Sequence, residues 1–320
     1  MTRGVVIGKF LPFHKGHRHL VETACARCAR VDVIVCERSD DPIPGPVRKG
    51  WIKTLCPAAS VRVIEDRYDP QDSAVWAENT LRWLGGRPDF VFTSEAYGIQ
   101  YAALMGAAHV SVDPARQRIP CSGTMIRANP FAHWDFMDPP VRAWYVKRVC
   151  VLGAESTGTT TLAEDLAAAM DTVCVPEYGR EYSKHKFAHP DEPWTSEDFL
   201  HIAREQTRME NEALERANRI LVCDTNSLAT CLWHRRYIGS DLPELWDFAR
   251  LGTCDFYLLT GDEIPFVQDG LRDGEHIRHT MQDWFREALA EQEVPWVEIS
   301  GSRTARLEAA VSLIRRRTGF

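Results

Sequence analysis

Short apolar runs recur along the chain and alternate with stretches in which apolar residues return every third or fourth position. The first run, Val5 to Ile7, predicts a strand; a Gly/Pro/His segment follows, then a helix from about His17 with Leu20, Val21, Ala24, Cys25 and Cys28 at helical spacing. Val31 to Cys36, Val61 to Ile64, Phe90 to Phe92 and His109 to Val112 predict further strands, and Ala74 to Leu84 and Tyr97 to Met105 predict helices between them. Pro139-Pro140 interrupts this rhythm, and a new strand, Val146 to Leu152, opens directly onto Gly153. The domain boundary is therefore expected between Phe136 and Lys147, giving units over 1–140 and 147–320. In the second unit, strands are expected near Val173 to Val175, Ile220 to Cys223, Phe256 to Leu259 and Val297 to Ile299, and the longest helix over about Ser196 to Ala217. Regular strand–helix alternation implies an α/β fold of two doubly wound parallel-sheet domains of the nucleotide-binding type.

A length of 320 residues suits two units of ordinary size, and 44% hydrophobic with 26% charged residues gives each a core to bury. The net charge of -7 argues against a broad basic face for a nucleic-acid backbone, so no nucleic-acid partner is expected, whereas a small anionic ligand needs only a local positive pocket. No apolar run approaches the roughly 18 residues of a membrane span, and Gly8 and Lys9 interrupt the N-terminal apolar run too early for a secretion signal. A cytoplasmic protein without a membrane partner is expected. Ten cysteines are too sparse for a disulfide scaffold, and Cys36, Cys150 and Cys223 sit inside apolar strands as reduced core thiols. Cys25 and Cys28 form a CxxC without a second pair, which gives no zinc site. There is no repeat, low-complexity tract or basic helix-turn-helix segment.

The segment Gly8-Lys9-Phe10-Leu11-Pro12-Phe13-His14-Lys15-Gly16-His17 lies between a strand and a helix, where phosphates meet free backbone N–H groups. Gly8 and Gly16 permit close approach of backbone to ligand, and His14 and His17 can donate hydrogen bonds to phosphate oxygens as charge builds on phosphorus. A helix start with incidental histidines is the plainer alternative. The segment resembles the (H/T)xGH signature of the nucleotidyltransferases, which join a nucleoside triphosphate to a small phosphorylated acceptor and release pyrophosphate. That superfamily's second hallmark is similar to Cys121-Ser122-Gly123-Thr124-Met125-Ile126-Arg127. There Ser122, Thr124 and nearby N–H groups can ligate the outer phosphates of ATP, and Arg127 can neutralise leaving pyrophosphate with a forked donor.

A second constellation, Gly153-Ala154-Glu155-Ser156-Thr157-Gly158-Thr159-Thr160-Thr161, follows a strand and precedes a helix carrying Leu162, Leu166 and Ala169. It meets the phosphate-loop pattern GxxxxGK[ST] at Gly153, Gly158 and Thr160, but Thr159 stands where the phosphate-binding lysine belongs. The backbone cradle survives and Thr160 can still ligate Mg²⁺, without a positive charge in its usual place. Ile220 to Asp224 is an apolar strand ending in a carboxylate, the form of a metal-supporting element. Glu177 ends the preceding strand and is either a base facing an acceptor hydroxyl or a surface ion-pair residue. Gln268 to Arg278, with Arg272 and Arg278, reads as an arginine-bearing loop that closes over ATP.

Together these motifs cover nearly the whole chain and resemble, in order, those of the NadR family, which fuses a nicotinamide mononucleotide adenylyltransferase to a ribosylnicotinamide kinase. Phe92-Thr93-Ser94-Glu95, Val112-Asp113-Pro114, Trp134-Asp135, Glu177 to Glu181, Asp224-Thr225 and Asp269-Gly270-Leu271-Arg272 are similar to that family's segments. The resemblance implies attack of the mononucleotide phosphate on the α-phosphate of ATP, giving NAD and pyrophosphate. His14 and His17 would stabilise the developing charge, while Lys9, Phe10, Ser122, Thr124 and Arg127 hold the nucleotide. It also implies phosphorylation of nicotinamide riboside by a second ATP at the loop from Gly153 to Thr161, with Glu177 and Asp224 catalytic and Thr160 and Asp224 holding Mg²⁺. Some relatives carry an N-terminal DNA-binding module; nothing precedes the first strand here, so DNA binding is not expected. An adenylyltransferase of another phosphorylated acceptor, with a C-terminal loop that senses ATP without turnover, fits the same motifs. The sequence is compatible with a homo-oligomer, and it places Trp83, Trp194, Trp233 and Trp246 as core residues rather than ligand platforms.

Overall fold

Strong local preferences set the first unit of the computed structural model, which describes residues 1–69, 72–189, 191–252, 254–268, 270 and 272–320. The chain divides into Met1–Trp144 and Tyr145–Phe320. In the first unit the elements run β1 (Arg3–Gly8), α1 (Lys15–Arg27), β2 (Arg30–Glu37), α2 (Gly45–Leu55), β3 (Ser60–Glu65), α3 (Ser73–Leu84), β4 (Phe90–Thr93), α4 (Gly98–Leu104), β5 (Ala108–Ser111), α5 (Gly123–Ala128) and α6 (Pro139–Arg142). The strands form one parallel sheet in the order β3-β2-β1-β4-β5. Strand order reverses between β1 and β4, so the crevice that α/β folds use for ligands opens above the carboxyl end of β1, at Gly8. β1 is central, and Val5 and Val6 are fully buried on its two faces. Leu20, Val21 and Ala24 of α1 are the apolar stripe that its helical spacing requires.

Helix α2 has no counterpart among the expected elements. Pro44-Gly45-Pro46 reads as a turn, yet Pro44 caps the helix and Pro46 lies in its first turn, where a missing N–H costs nothing. It buries Trp51, Ile52 and Arg48, whose guanidinium reaches the Lys9 and Cys36 carbonyls and the Asp41 carboxylate.

The second unit runs β6 (Lys147–Leu152), α7 (Thr159–Ala169), β7 (Cys174–Val175), α8 (Tyr178–Ala188), α9 (Ser196–Ala213), β8 (Ile220–Asp224), α10 (Ser227–Ile238), α11 (Pro243–Leu251), β9 (Phe256–Thr260), α12 (Arg278–Ala290), β10 (Trp296–Ile299) and α13 (Arg303–Thr318). Its sheet is parallel, ordered β10-β9-β6-β8-β7. The three central strands are buried along nearly their whole length, which is why they read as unbroken apolar runs rather than alternating ones. Thr195 and Asp198 close a capping box on α9, which stops at Ala213, short of Ala217, as a 3₁₀ turn over Leu214–Arg216 tightens its end. Among the described residues no helix is long and apolar enough to cross a membrane.

Candidate active sites

In the first unit His14 caps α1: its Nδ1 accepts the backbone N–H of His17 at 3.3 Å. That bond leaves the His14 ring proton on Nε2, as a donor. The two imidazoles stack with centroids 3.7 Å apart, and the buried Phe10 ring meets His17 edge-on at 5.1 Å. The second hallmark folds against this turn. Gly123 is required there, because a Cβ would lie 2.5 Å from the Leu11 carbonyl oxygen, and Arg127 donates to that same oxygen. Ser122 caps α5 by accepting the Met125 N–H at 3.2 Å, and Thr124 Oγ1 accepts from Arg127 at 3.3 Å. Lys9, His17, Arg116, Ser122, Thr124 and Arg127 therefore line one cleft. Gly16 lies behind it, under the His14 ring. A second cleft over the end of β1 is walled by Gly8, Lys9, Asp66, Trp76, Tyr97 and Tyr101, so Lys9 belongs to both. The Asp66 carboxylate is only 4% exposed, pairs with Arg38 at 2.9 Å and leaves its Oδ1 without a hydrogen-bond partner.

Burial pushes the His14 imidazole down to about 2, with His17 and Arg116 acting in the same direction. His17 falls to about 4, burial outweighing the Pro12 carbonyl. Both are neutral donors at pH 7. The unfolded chain takes up protons below about 6.5 that the folded site refuses, so stability falls as pH drops from there towards 4. The loss at pH 5.5 is expected to be about 1 kcal/mol for His14 alone. Urea melts at pH 7.5 and 5.5 check it: the His14→Gln/His17→Gln double variant should lose less stability than the parent on acidification, and an equal loss would exclude the imidazoles as the cause.

In the second unit the loop after β6 enters α7 through Gly158, whose φ of +86° favours glycine. Thr159, Thr160 and Thr161 line the pocket above it with Gly153, Glu155 and Ser156. Asp224, the last residue of β8, lines the same pocket as Thr159 and Thr160, and burial raises its carboxyl against the opposing effect of those two hydroxyls. Glu177 and Arg180, at the start of α8, line the opposite side. Burial, reinforced by Asp224 and opposed by Arg180, lifts the Glu177 carboxyl to about 8. Its expected alternative, a surface ion-pair residue, does not fit a group half-buried in this pocket.

Two of the expected residues, Thr157 and Arg278, do not line this pocket. Thr157 is fully buried and bonds the Ala154 carbonyl and Thr260, so its side chain is structural. Glu155 lines the pocket but is occupied, accepting from Arg236 at 2.8 Å and from the Gly274 N–H at 2.8 Å. Arg272 lines the pocket and reaches Ser156 Oγ at 3.2 Å. Arg278 instead is buried and donates to the Ser156 carbonyl at 3.1 Å, so it holds the loop rather than lining the pocket. Asp269 and Leu271 lie outside the described residues.

The loop is also held by Arg306, which sequence reasoning missed because it lies far along the chain on α13. Only 4% exposed, it donates to the carbonyls of Thr157, Gly261 and Gly301 and to Glu263. Arg306→Ala is expected to cost about 3 kcal/mol in urea unfolding by orphaning buried acceptors; a loss below about 1 kcal/mol would contradict that role. Trp83, Trp194, Trp233 and Trp246 all pack against apolar clusters, as expected; Trp194 and Trp233 also line the pocket with Tyr237, Trp194 stacking on Tyr237 at 5.1 Å.

Comparison with known proteins matches both units at once. The trifunctional NAD biosynthesis/regulator protein NadR of Escherichia coli (strain K12) is 29% identical over 344 residues, covering 99% of this chain and 84% of the relative. That of Salmonella typhimurium (strain LT2) is 27% identical, covering 99% and 83%. The chain is NadR-like from end to end. Two solved structures share the fold of this NadR-like chain over its whole length at 20% identity. A NadR protein in complex with NAD and AMP-PNP superposes with a TM-score of 0.79 and 97% of that chain covered, and one in complex with NR with 0.80 and 96%. An AAA-domain family model matches residues 148–306.

Proposed function

We propose that the first unit transfers the adenylyl group of ATP to nicotinamide mononucleotide, releasing pyrophosphate and forming NAD, and that the second unit phosphorylates nicotinamide riboside. The observation that carries the first half is the single cleft shared by His17, Lys9, Ser122, Thr124 and Arg127, at a helix N-terminus. The relatives' name, and the NAD, AMP-PNP and riboside held by the structural neighbours, support the choice of acceptor. ATP lies along the first cleft with its outer phosphates on Thr124 and Arg127. The mononucleotide occupies the second cleft, where Asp66 Oδ1 accepts a ribose hydroxyl and Trp76 and Tyr97 face the pyridine. Lys9, common to both clefts, meets the two phosphates that react. The imidazoles donate to the α-phosphate oxygens as charge gathers there, and no covalent enzyme intermediate is needed.

In the second unit, Trp194, Trp233 and Tyr237 offer flat faces to a pyridine ring, and Glu177, in its ionised form, receives the proton of the attacking ribosyl hydroxyl. Asp224 and Thr160 line the same pocket with hard oxygen donors, which fits Mg²⁺; that ion takes a few protein oxygens with water and phosphate, and among the described residues no group of three or more His, Cys, Asp or Glu could hold a metal. Bound there, Mg²⁺ would neutralise phosphate charge. NAD formation from the riboside and, separately, from the mononucleotide tests both halves: NAD from the mononucleotide alone leaves the kinase half without support, and NAD from neither refutes the reading. Thr159 favours one other reading for the second unit, an ATP sensor without turnover, which tight ATP binding without riboside phosphorylation would establish. A panel of acceptor phosphates separates the mononucleotide from other acceptors.

A further inference from the structure

Arg236 of α10 is not part of the pocket wall, yet it joins three parts of it. Its side chain is 6% exposed and donates to Glu155 of the phosphate loop at 2.8 Å and to Asp273. Its guanidinium lies 5.3 Å from the Trp233 ring centre and 4.8 Å from that of Tyr237, and Tyr237 also donates to Asp273 at 3.1 Å. Glu155 in turn accepts the Gly274 N–H. The segment next to Asp273 carries Arg272, and its other end is fastened where the Val267 N–H donates to Ser156 Oγ at 2.8 Å. One guanidinium thus ties the aromatic wall, the phosphate loop and the arginine-bearing segment to one another.

We infer that Arg236 is a positioning residue for phosphoryl transfer: it fixes Asp273 and, through Glu155, Gly274, so that the neighbouring Arg272 stays at the phosphate loop, and it couples that placement to occupation of the aromatic wall. The inference rests on the riboside kinase reading for the identity of the occupant alone. Without Arg236, the largely buried Glu155 and the half-exposed Asp273 lose the cation between them, and their repulsion displaces Asp273 and Gly274 from the loop. A pyridine ring laid on Trp233 and Tyr237 removes water from beside the ion pair and strengthens it, because a charge pair gains energy as the local dielectric falls. Acceptor binding and segment placement then favour each other by the same factor in both directions. Arg236→Lys keeps the charge but loses the fork that serves two carboxylates at once, so it restores only part of the function.

Amide hydrogen exchange and steady-state kinetics on the full chain test this. In Arg236→Gln without ligand, the amides of Val267 and Gly274 should exchange about tenfold faster than in the parent, and Asp273→Asn, more exposed and less disruptive to folding, should show the same change in smaller measure. Nicotinamide riboside should slow these amides in the parent and not in Arg236→Gln. The kcat for riboside phosphorylation should fall about tenfold to a hundredfold with KM for riboside moving far less, and Arg236→Gln/Arg272→Ala should be no slower than Arg272→Ala alone. Unchanged exchange in both variants, or losses that multiply in the double variant, would overturn the inference. If riboside fails to protect the Trp194 and Trp233 peptides of the parent, the riboside reading fails, while the comparison of unliganded exchange still decides the role of Arg236.

Discussion

His17→Ala is expected to lower the turnover of NAD formation from ATP and nicotinamide mononucleotide about a hundredfold or more, while the affinities for both substrates change only a few-fold. The asymmetry follows from when the charge appears. A neutral imidazole, which burial enforces here, has little to offer a solvated triphosphate, but it donates strongly to oxygens that gain charge at the transition state. His17 also packs on Phe10 and stacks on His14, so truncation loosens the turn as well as removing a donor. His17→Asn separates the two effects: it keeps a donor and loses the ring, and it should recover part of the turnover. Arg127→Ala should behave differently, weakening ATP binding as well as turnover, since its charge meets phosphates already present in the ground state. If His17→Ala keeps turnover within about threefold of the parent, the histidines are not transition-state donors.

The alternating pattern was enough to read both sheets, because parallel strands buried on two faces announce themselves as apolar runs. It placed no bounds on α10, α11 or α13, and it passed over α2 and α8 for opposite reasons. Pro44 and Pro46 disguise α2 as a turn, although proline is at home in a first helical turn. Tyr178 to Glu181 drew attention as chemistry, although they are also the first turn of α8. The same division runs through the sites. Residues contiguous in the chain, such as Lys9 to His17 and Gly153 to Thr161, were legible, since a strand–turn–helix places their backbone by itself. Arg116, Asp66, Arg236 and Arg306 were not. Each reaches its site across the fold, and no local periodicity encodes which way a distant guanidinium or carboxylate points. Glu155 and Thr157 add what the motif alone does not encode: tertiary partners claim their side chains, which leaves their backbone N–H groups as the part that can face phosphate.

Thr159→Lys is expected to raise kcat for riboside phosphorylation about tenfold or more, from a parent activity that is slow but measurable. The parent loop offers a hydroxyl where an ammonium would meet the β- and γ-phosphates. The pocket still contains guanidinium charge, from Arg272 on one side and Arg180 on the other, which supplies the parent's residual neutralisation. Arg272→Ala should therefore reduce the parent strongly and the Thr159→Lys variant much less, since the new ammonium takes over the same task. Arg278→Ala should instead lower stability with kcat, because its partner is the Ser156 carbonyl rather than a phosphate. Asp224→Ala should abolish transfer in either background, as the pocket carboxylate proposed to hold Mg²⁺ with Thr160 is gone. Full activity in Arg272→Ala/Arg180→Ala would show that neither arginine compensates. If parent and Thr159→Lys both bind ATP and neither phosphorylates the riboside, the second unit is a nucleotide sensor, and one substitution in the loop is not what silences it.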